Sequence, residues 1–262
     1  MSHHAPSELP SRRRLLSATA WSAPVVVAAA AAPAAVASAA LTGRVLFDTT
    51  SAGRYVRAAG ATATSASGTA NVVLTGGGGA ACASRLLVSF SSQLVPGTGY
   101  ELITASNLTA RAVNGSGYLQ LQQYLRSDAA QAPGVRGQTL TVTFARPVRN
   151  LSFGLGGFTS GNGVGATGIL FTDAAYLTSA STFTSGARGA DVLGDGTSAA
   201  PWYARRFNVT DVPVTDADTV TNIRSAGPVS SFTLQYYSLT ARASTTDFQG
   251  LFLSSMSFSA AC

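Results

Sequence analysis

From Thr139 to Phe158 the chain reads TLTVTFARPVRNLSFGLGGF, and apolar residues fall on every second position. Leu140, Val142 and Phe144 alternate with threonines. Beyond Pro147, Leu151, Phe153 and Leu155 alternate with Asn150, Ser152 and Gly154. A period of two places each apolar set on one face of a pleated strand. The stretch predicts two half-buried strands joined at Ala145-Arg146-Pro147-Val148, because proline cannot donate to a sheet ladder and belongs at a junction or an edge. A related run, Ala226-Gly227-Pro228-Val229-Ser230-Ser231-Phe232-Thr233-Leu234, begins 81 residues after Ala145. Two copies of A-x-P-V-x-x-Φ-[S/T]-Φ predict two equivalent strand entries in one architecture, and Gly156-Gly157 reads as the turn that closes the first.

Further strands are expected at Arg44–Thr50, Asn71–Thr75, Ser84–Leu94, Tyr100–Ser106, Gly117–Leu125, Ile169–Ser179, Trp202–Val209, Ser230–Leu239 and Gly250–Ala260. Residues 51 to 79, rich in small residues and ending in four glycines, read as loop around one short strand. The Gly/Asp-rich excursion from Thr184 to Pro201 also reads as loop. No sustained 3.6-residue period appears after the first 40 residues. About ten short strands punctuated by Gly, Pro, Asn and Asp predict an all-β chain, a single β-sandwich or jelly roll over residues 40–262 with no dividing linker.

The first 39 residues read differently. Ser11-Arg12-Arg13-Arg14-Leu15-Leu16 precedes an alanine-rich, weakly apolar run. A basic segment, an apolar segment and a small-residue cleavage site define an export signal. The pair Arg12 and Arg13 resembles the twin-arginine consensus. Cleavage is expected after Ala37 or Ala39, leaving no stable membrane span in the processed chain. An uncleaved anchor is the competing reading, since the run is long enough to cross a bilayer. Its alanines, with Pro24 and Pro33, make insertion unfavourable.

Composition then narrows the chemistry. Charged residues make up 11% of the chain, against about 25% in average soluble domains, so surface polarity rests on Ser, Thr, Asn, Gln and Gly. The chain has no lysine, and its two histidines, His3 and His4, lie in the leader. Without them the exported part cannot build a Ser-His-Asp triad, a Ser-Lys dyad, a Schiff base or a histidine-ligated metal site. After the leader 14 Arg stand against 9 Asp and 1 Glu, a net charge of about +4 by formal counting. Only Arg205-Arg206 are adjacent, so no basic stripe marks a nucleic-acid groove.

The order F-x-x-P-V-x-x-L-S-F (Phe144 to Phe153), then T-D-A (Thr172 to Ala174), V-L-G-D-G-T-x-x-x-P-W (Val192 to Trp202), G-P-V-x-x-F-T-L-x-Y (Gly227 to Tyr236) and G-L-F-L-S-x-M-S-F (Gly250 to Phe258) resembles secreted and cell-surface β-sandwich modules of Gram-positive bacteria. The resemblance covers about residues 139 to 258, rests on the order of elements and implies architecture and an extracellular setting, without an activity. Such modules often carry D-I-D after the first P-V strand. This chain has Gly156-Gly157-Phe158 there, so a cation role for those aspartates has no counterpart.

Several constellations are candidates for chemistry. In GYLQLQQYL, Tyr118, Gln120, Gln122 and Tyr124 share one strand face. Flat rings with interleaved amides suit stacking and hydrogen bonding to a polysaccharide. Gln235 with Tyr237 repeats that chemistry, and Trp202-Tyr203 adds the only tryptophan after the leader. The plain alternative is a solvated outer face, with Trp202 packed as a lid on the core. Asp191 with Asp195, and Asp211, Asp216 and Asp218, are weak candidates for calcium, which needs several oxygens from a flexible loop. Aspartate is equally an ordinary turn residue. Gly163 to Gly168 matches G-x-G-x-x-G, but Ile169-Leu170-Phe171 reads as a strand where a phosphate site needs a helix, so the match reads as a loop. Four N-x-[S/T] acceptor patterns, at Asn107, Asn114, Asn150 and Asn208, read as chance with a bacterial-type leader.

These features lead to the expectation of an exported, non-catalytic β-sandwich that binds cell-wall polysaccharide or another surface partner. The alternatives are a secreted glycosidase or lyase using two carboxylates, and a purely structural surface protein. Cys82 and Cys262 are the only cysteines, and an even pair in an exported chain predicts a disulfide worth about 5 kcal/mol on loop-entropy grounds. Non-reducing peptide mapping of the exported protein should recover a Cys82–Cys262 cross-linked peptide; recovery of both thiols in alkylated form would exclude it.

Overall fold

The computed structural model describes residues 40–48, 54–76, 85–97, 99–113, 115–125, 137–161, 171–205, 216–241 and 249–261. The strands run in chain order as β1 (Leu41–Val45), β2 (Tyr55–Arg57), β3 (Ser65–Val73), β4 (Arg85–Leu94), β5 (Tyr100–Leu102), β6 (Thr109–Val113), β7 (Ser116–Leu125), β8 (Gln138–Gly156) and β9 (Ser160–Gly161). They continue as β10 (Phe171–Thr178), β11 (Phe183–Arg188), β12 (Val192–Leu193), β13 (Trp202–Ala204), β14 (Thr221–Ser225), β15 (Val229–Ala241), β16 (Gln249–Ser254) and β17 (Met256–Ala260). A single 3-10 turn, Ala217–Thr219, is the one helical element among the described residues. The chain is all-β with antiparallel pairing, as its periodicity predicts.

The long strand β8 organises the sandwich. Its first part, Gln138 to Phe144, pairs with β4 on one side and β15 on the other. Its second part, Val148 to Gly156, pairs with β17 and β16 on one side and β14 on the other. The first sheet therefore runs β2-β3-β4-β8-β15-β10, with β9 and β13 on the far edge of β10 and β12 beyond β13. The second holds β7 and β1 alongside β16 and β17, then β8, β14 and β11, with β5 and β6 on β7.

Two irregularities let one strand serve both sheets. Between the pairs Thr143–Ser231 and Val148–Val229, residues Phe144 to Pro147 of β8 stand opposite Ser230 alone. A bulge of this kind bends the strand and sharpens its twist, and Pro147, exposed and without an N–H, leaves no donor unpaired there. The second irregularity is Asn150, which has a φ of 53°. Inward residues before it are even-numbered (Leu140, Val142, Phe144, Val148); after it they are odd (Leu151, Phe153, Leu155). Asn150 supplies the extra residue that changes the phase, and its Nδ2 donates to Ser259 Oγ at 3.0 Å. The expected pair of strands is thus one continuous strand, and its inward phase changes at Asn150, beyond the expected junction at Ala145 to Val148.

The two A-x-P-V copies meet. Val148 and Val229 are cross-strand partners and both are fully buried. Pro228 precedes β15 just as the chain passes from β14 in the second sheet to the first, so each copy marks a crossing between sheets. Aromatic rings close the space between the layers. Phe153 stacks on Phe232 at 5.1 Å, Phe144 meets Phe258 edge-on at 5.5 Å, and Tyr55 packs against Phe90 at 5.2 Å. Each such buried ring contributes about 2–3 kcal/mol by removal from water.

Three local expectations are corrected by packing. β3 begins at Ser65, because Ala66, Gly68 and Ala70 alternate inward ahead of Val72. Gly68 is required there, since a Cβ would lie 2.2 Å from Tyr55 Oη. Residues Thr184 to Arg188, within the excursion read as loop, belong to β11. Gly154 and Gly156 lie within β8, and the Phe252 ring occupies the place a Gly157 side chain would take, 2.6 Å from its Cβ position.

A left-handed backbone costs an ordinary residue about 1–2 kcal/mol. Asn150→Val should lower stability by that amount in urea denaturation, whereas Asn150→Gly should change it by less than about 0.5 kcal/mol. Equal effects of the two substitutions would remove the phase-changing role from the backbone at this position.

Candidate functional site

The G-D-G-T-x-x-x-P-W run gains its meaning from a hairpin. β12 pairs with β13, so residues 194 to 201 close a tight loop between them. The amides of Asp195, Gly196 and Thr197 all donate to the Ala200 carbonyl, at 2.8, 2.9 and 3.3 Å. Gly194 and Gly196 have φ of 85° and 77°, and a Cβ on Gly196 would lie 2.1 Å from the Trp202 ring. The indole therefore packs flat against a bare backbone, and its Nε1 donates to Ser185 Oγ at 3.2 Å. Leu177 N bonds to the Gly196 carbonyl at 3.0 Å, fixing the loop to β10.

Between this loop and the β10–β11 connection lies a cleft of about 210 Å³. Hydroxyls of Thr178, Ser179, Ser181, Thr184, Ser185 and Thr197 line it, over Leu177, Phe183 and Trp202. Asp195 contributes its one carboxylate, 3.4 Å from Arg188 Nη1 and largely solvated. An exposed pair of this kind is worth less than about 1 kcal/mol; Arg188 Nη1 also donates to the Gly194 carbonyl, so Asp195 is the charged group turned to the cleft.

The outer face of the first sheet leads into this cleft. Residues Ser67, Ser91, Thr141, Thr233 and Thr178 are register partners across five strands, β3, β4, β8, β15 and β10. A second row runs Ser65, Gln93, Thr139, Gln235, Tyr176, and a third Thr69, Ser89, Thr143, Ser231. No charged residue interrupts the rows. Neighbours are spaced about 4.8 Å across strands and roughly 6.7 Å along them. Thr139 Oγ1 donates to Gln235 Oε1 at 2.8 Å, and the Thr141 and Thr233 hydroxyls are 3.4 Å apart. Thr178 belongs both to the first row and to the cleft.

The residues named from sequence are distributed rather than gathered. Tyr118, Gln120, Gln122 and Tyr124 share a face of β7, on the outer side of the second sheet. Gln120 and Gln122 are buried there, at 3% and 6% exposure, with Ser106 Oγ donating to Gln122 Oε1 and Gly250 packing against it. Tyr118 and Tyr124 are half-buried. The two glutamines are no open platform: both are buried, and Ser106, in the segment before β6, bonds to Gln122. Gln235 and Tyr237 are on the opposite sheet; Tyr237 is buried edge-on to Tyr176 at 6.1 Å. Trp202 is 2% exposed, the lid packing considered above, and Tyr203 is half-buried.

The calcium candidates have local duties. Asp191 is buried, and its N–H donates to the Asp218 carbonyl at 2.9 Å. Asp216 caps the 3-10 turn by accepting from Asp218 N at 3.0 Å. Asp195 faces Arg188. Among the described residues no three His, Cys, Asp or Glu side chains gather as a metal set. Asp211, Cys82, Cys262, Gly163 to Gly168, Arg12, Arg13, Ala37 and Ala39 lie outside the described residues.

Sequence reading passed over Asp173. It is fully buried in β10, where Tyr236 Oη donates to Oδ1 at 2.7 Å and the Thr159 N–H and hydroxyl donate to Oδ2 at 3.1 and 2.7 Å. Burial nevertheless wins over these three donors and pushes its pKa up to about 7. The same burial, together with the Asp173 charge, raises the Tyr236 phenol. The carboxyl ties β10 to β15 and to Thr159, just before β9, and does not line the cleft. A lone carboxylate inside ILFTDAAYL was the available signal. Beside it, Asn107 Nδ2 donates to Ser92 Oγ at 3.1 Å and Ser92 Oγ to Gln138 Oε1 at 2.9 Å, all three fully buried.

No protein-family model, curated protein or solved structure matches this chain. No helix among the described residues is long and apolar enough to cross a membrane.

Because the folded Asp173 carboxyl titrates near 7 and the unfolded one near 3.8, the folded state holds the extra proton between those values. Its contribution to stability is full below about pH 4 and is lost as pH rises toward 7, on the order of 4 kcal/mol at the limit. Melting temperatures measured from pH 4 to 8 should fall across that window, and Asp173→Asn should flatten the fall. An equal slope in the variant would place the titration elsewhere.

Proposed function

We propose that this chain is an exported, non-catalytic β-sandwich that holds a neutral polysaccharide of the cell envelope across its first sheet and into the adjoining cleft. The observation that carries the reading is the continuity of the uncharged hydroxyl rows with the cleft through Thr178. Sugars present hydroxyls as both donors and acceptors, and Ser, Thr and Gln side chains answer both roles without the desolvation cost of a charge. Repeated weak contacts along a chain add up when the backbone beneath them is rigid, which a five-strand register provides. Leu177, Phe183 and Trp202 under the cleft give it the apolar floor common to small-ligand sites.

The enzyme alternative draws less support. Glycoside hydrolysis in its common form uses two carboxyl groups on either side of the bond, and the cleft holds Asp195 alone. The reading places the protein outside the cell on the strength of the leader and its small-residue cleavage sites.

The protein should be incubated with insoluble wall and plant polysaccharides, scoring retention and new reducing ends together. Retention without cleavage is expected. Thr141→Glu and, separately, Ser91→Glu should each reduce retention at least tenfold while shifting the melting temperature by only a few degrees. New reducing ends would replace the reading with the enzyme, and retention indifferent to both substitutions would move the ligand off this face. Failure to bind any of the polymers would leave the purely structural role.

A further inference from the structure

The outer face of the second sheet carries a different chemistry. Outward residues Arg44, Ser257, Ser152, Arg224 and Thr184 are register partners across β1, β17, β8, β14 and β11. In the adjacent row Thr42 and Arg149 flank Ser259, and on the β6 side Tyr118 stands between Arg111 and Ser254. All four arginines are exposed. Strands β1, β6, β7, β11, β14, β16, β17 and the second part of β8 contain no Asp or Glu. The nearest strand carboxylate in register is Glu101, opposite Tyr124 and about 20 Å along β7 from Tyr118. Asp48 sits half-buried just after β1.

From this placement we infer that the second sheet is a docking face for a flexible, linear anionic glycopolymer, lying along the Arg44–Ser257–Ser152–Arg224 row. Arg44 and Arg224 are about 14 Å apart across three strand spacings, so a chain crossing the row meets cations at separated points with hydroxyls between. Guanidinium forks pair with carboxylate or phosphodiester oxygens, and serines bond to the sugar or polyol hydroxyls between charges. Among the described residues the face presents no large exposed apolar side chain; Val56, Val73, Leu87 and Leu239 all lie on strands of the first sheet. It therefore offers nothing to insert into a bilayer. Nor does it hold a run of exposed aromatics on which nucleic-acid bases could stack. The neutral face and this cationic one are separated by the sandwich, so the site is independent of the polysaccharide reading above.

The test uses the full chain against polygalacturonate, poly(glycerol phosphate), neutral dextran, phosphatidylglycerol vesicles and duplex DNA. At least one anionic glycopolymer should bind, with affinity falling severalfold between low and physiological salt, and the arm that binds names the source of the charge. R44Q/R149Q/R224Q should weaken that binding at least tenfold with an unchanged melting temperature, and R44K/R149K/R224K should retain most of it. Binding unaffected by the glutamine substitutions, lost equally in the lysine variant, matched by dextran, or weaker than binding to vesicles or DNA would overturn the proposal. So would no binding to either anionic polymer.

Discussion

The architecture depends on a single strand belonging to two sheets. β8 enters as the partner of β4 and β15 and leaves as the partner of β17, β16 and β14. A strand can do this only if it bends sharply and still sends its apolar side chains into the same interior. The bulge from Phe144 to Pro147 supplies the bend. Asn150 supplies the residue that restores the inward phase. Phe144 and Phe153 then reach opposite layers of one core, where they meet Phe258 and Phe232. The buried Val148–Val229 pair closes the seam, and both A-x-P-V copies stand at points where the chain changes sheet.

With the interior closed in this way, the low charge of the chain becomes a property of surfaces. Charged groups avoid the rows of the first sheet, whose strands turn Ser, Thr and Gln outward. On the second sheet the outward charges on the strands are arginines, apart from Glu101 at the β5 edge. Such a division follows from the pleat, because alternate residues of each strand are committed to the core and only the others can differ between faces. Where a charge does enter the core, at Asp173, three donors receive it and burial holds its pKa near 7.

Several features were legible in the chain and several were not, for identifiable reasons. Leu140 to Phe144 and Leu151 to Leu155 announced a strand because large apolar residues alternated with small polar ones. β3 was half hidden because its inward residues are Ala66, Gly68 and Ala70, too small to register as a hydrophobic face until Tyr55 fills the space above Gly68. Gly156 and Gly157 resembled a turn, yet Gly156 still lies in the strand, and the Phe252 ring packs where a Gly157 side chain would be. Gln120 and Gln122 had the pattern of a binding face, but a strand's outward side is exposed only if nothing packs on it; both side chains are buried, and Ser106 bonds to Gln122 there.

The sequence by itself determined the all-β class, the core-facing members of most strands and the exclusion of lysine-based chemistry. Those properties follow from local periodicity and from residue types that are present or missing. Tertiary structure alone decided that β8 is shared by two sheets, that Thr178 joins a five-strand row of hydroxyls to a cleft, that Trp202 lies on Gly196, and that Arg44, Arg149 and Arg224 share a face. Each of these depends on register between segments up to some 200 residues apart. Register is set by how side chains fill the common core, which no single segment encodes.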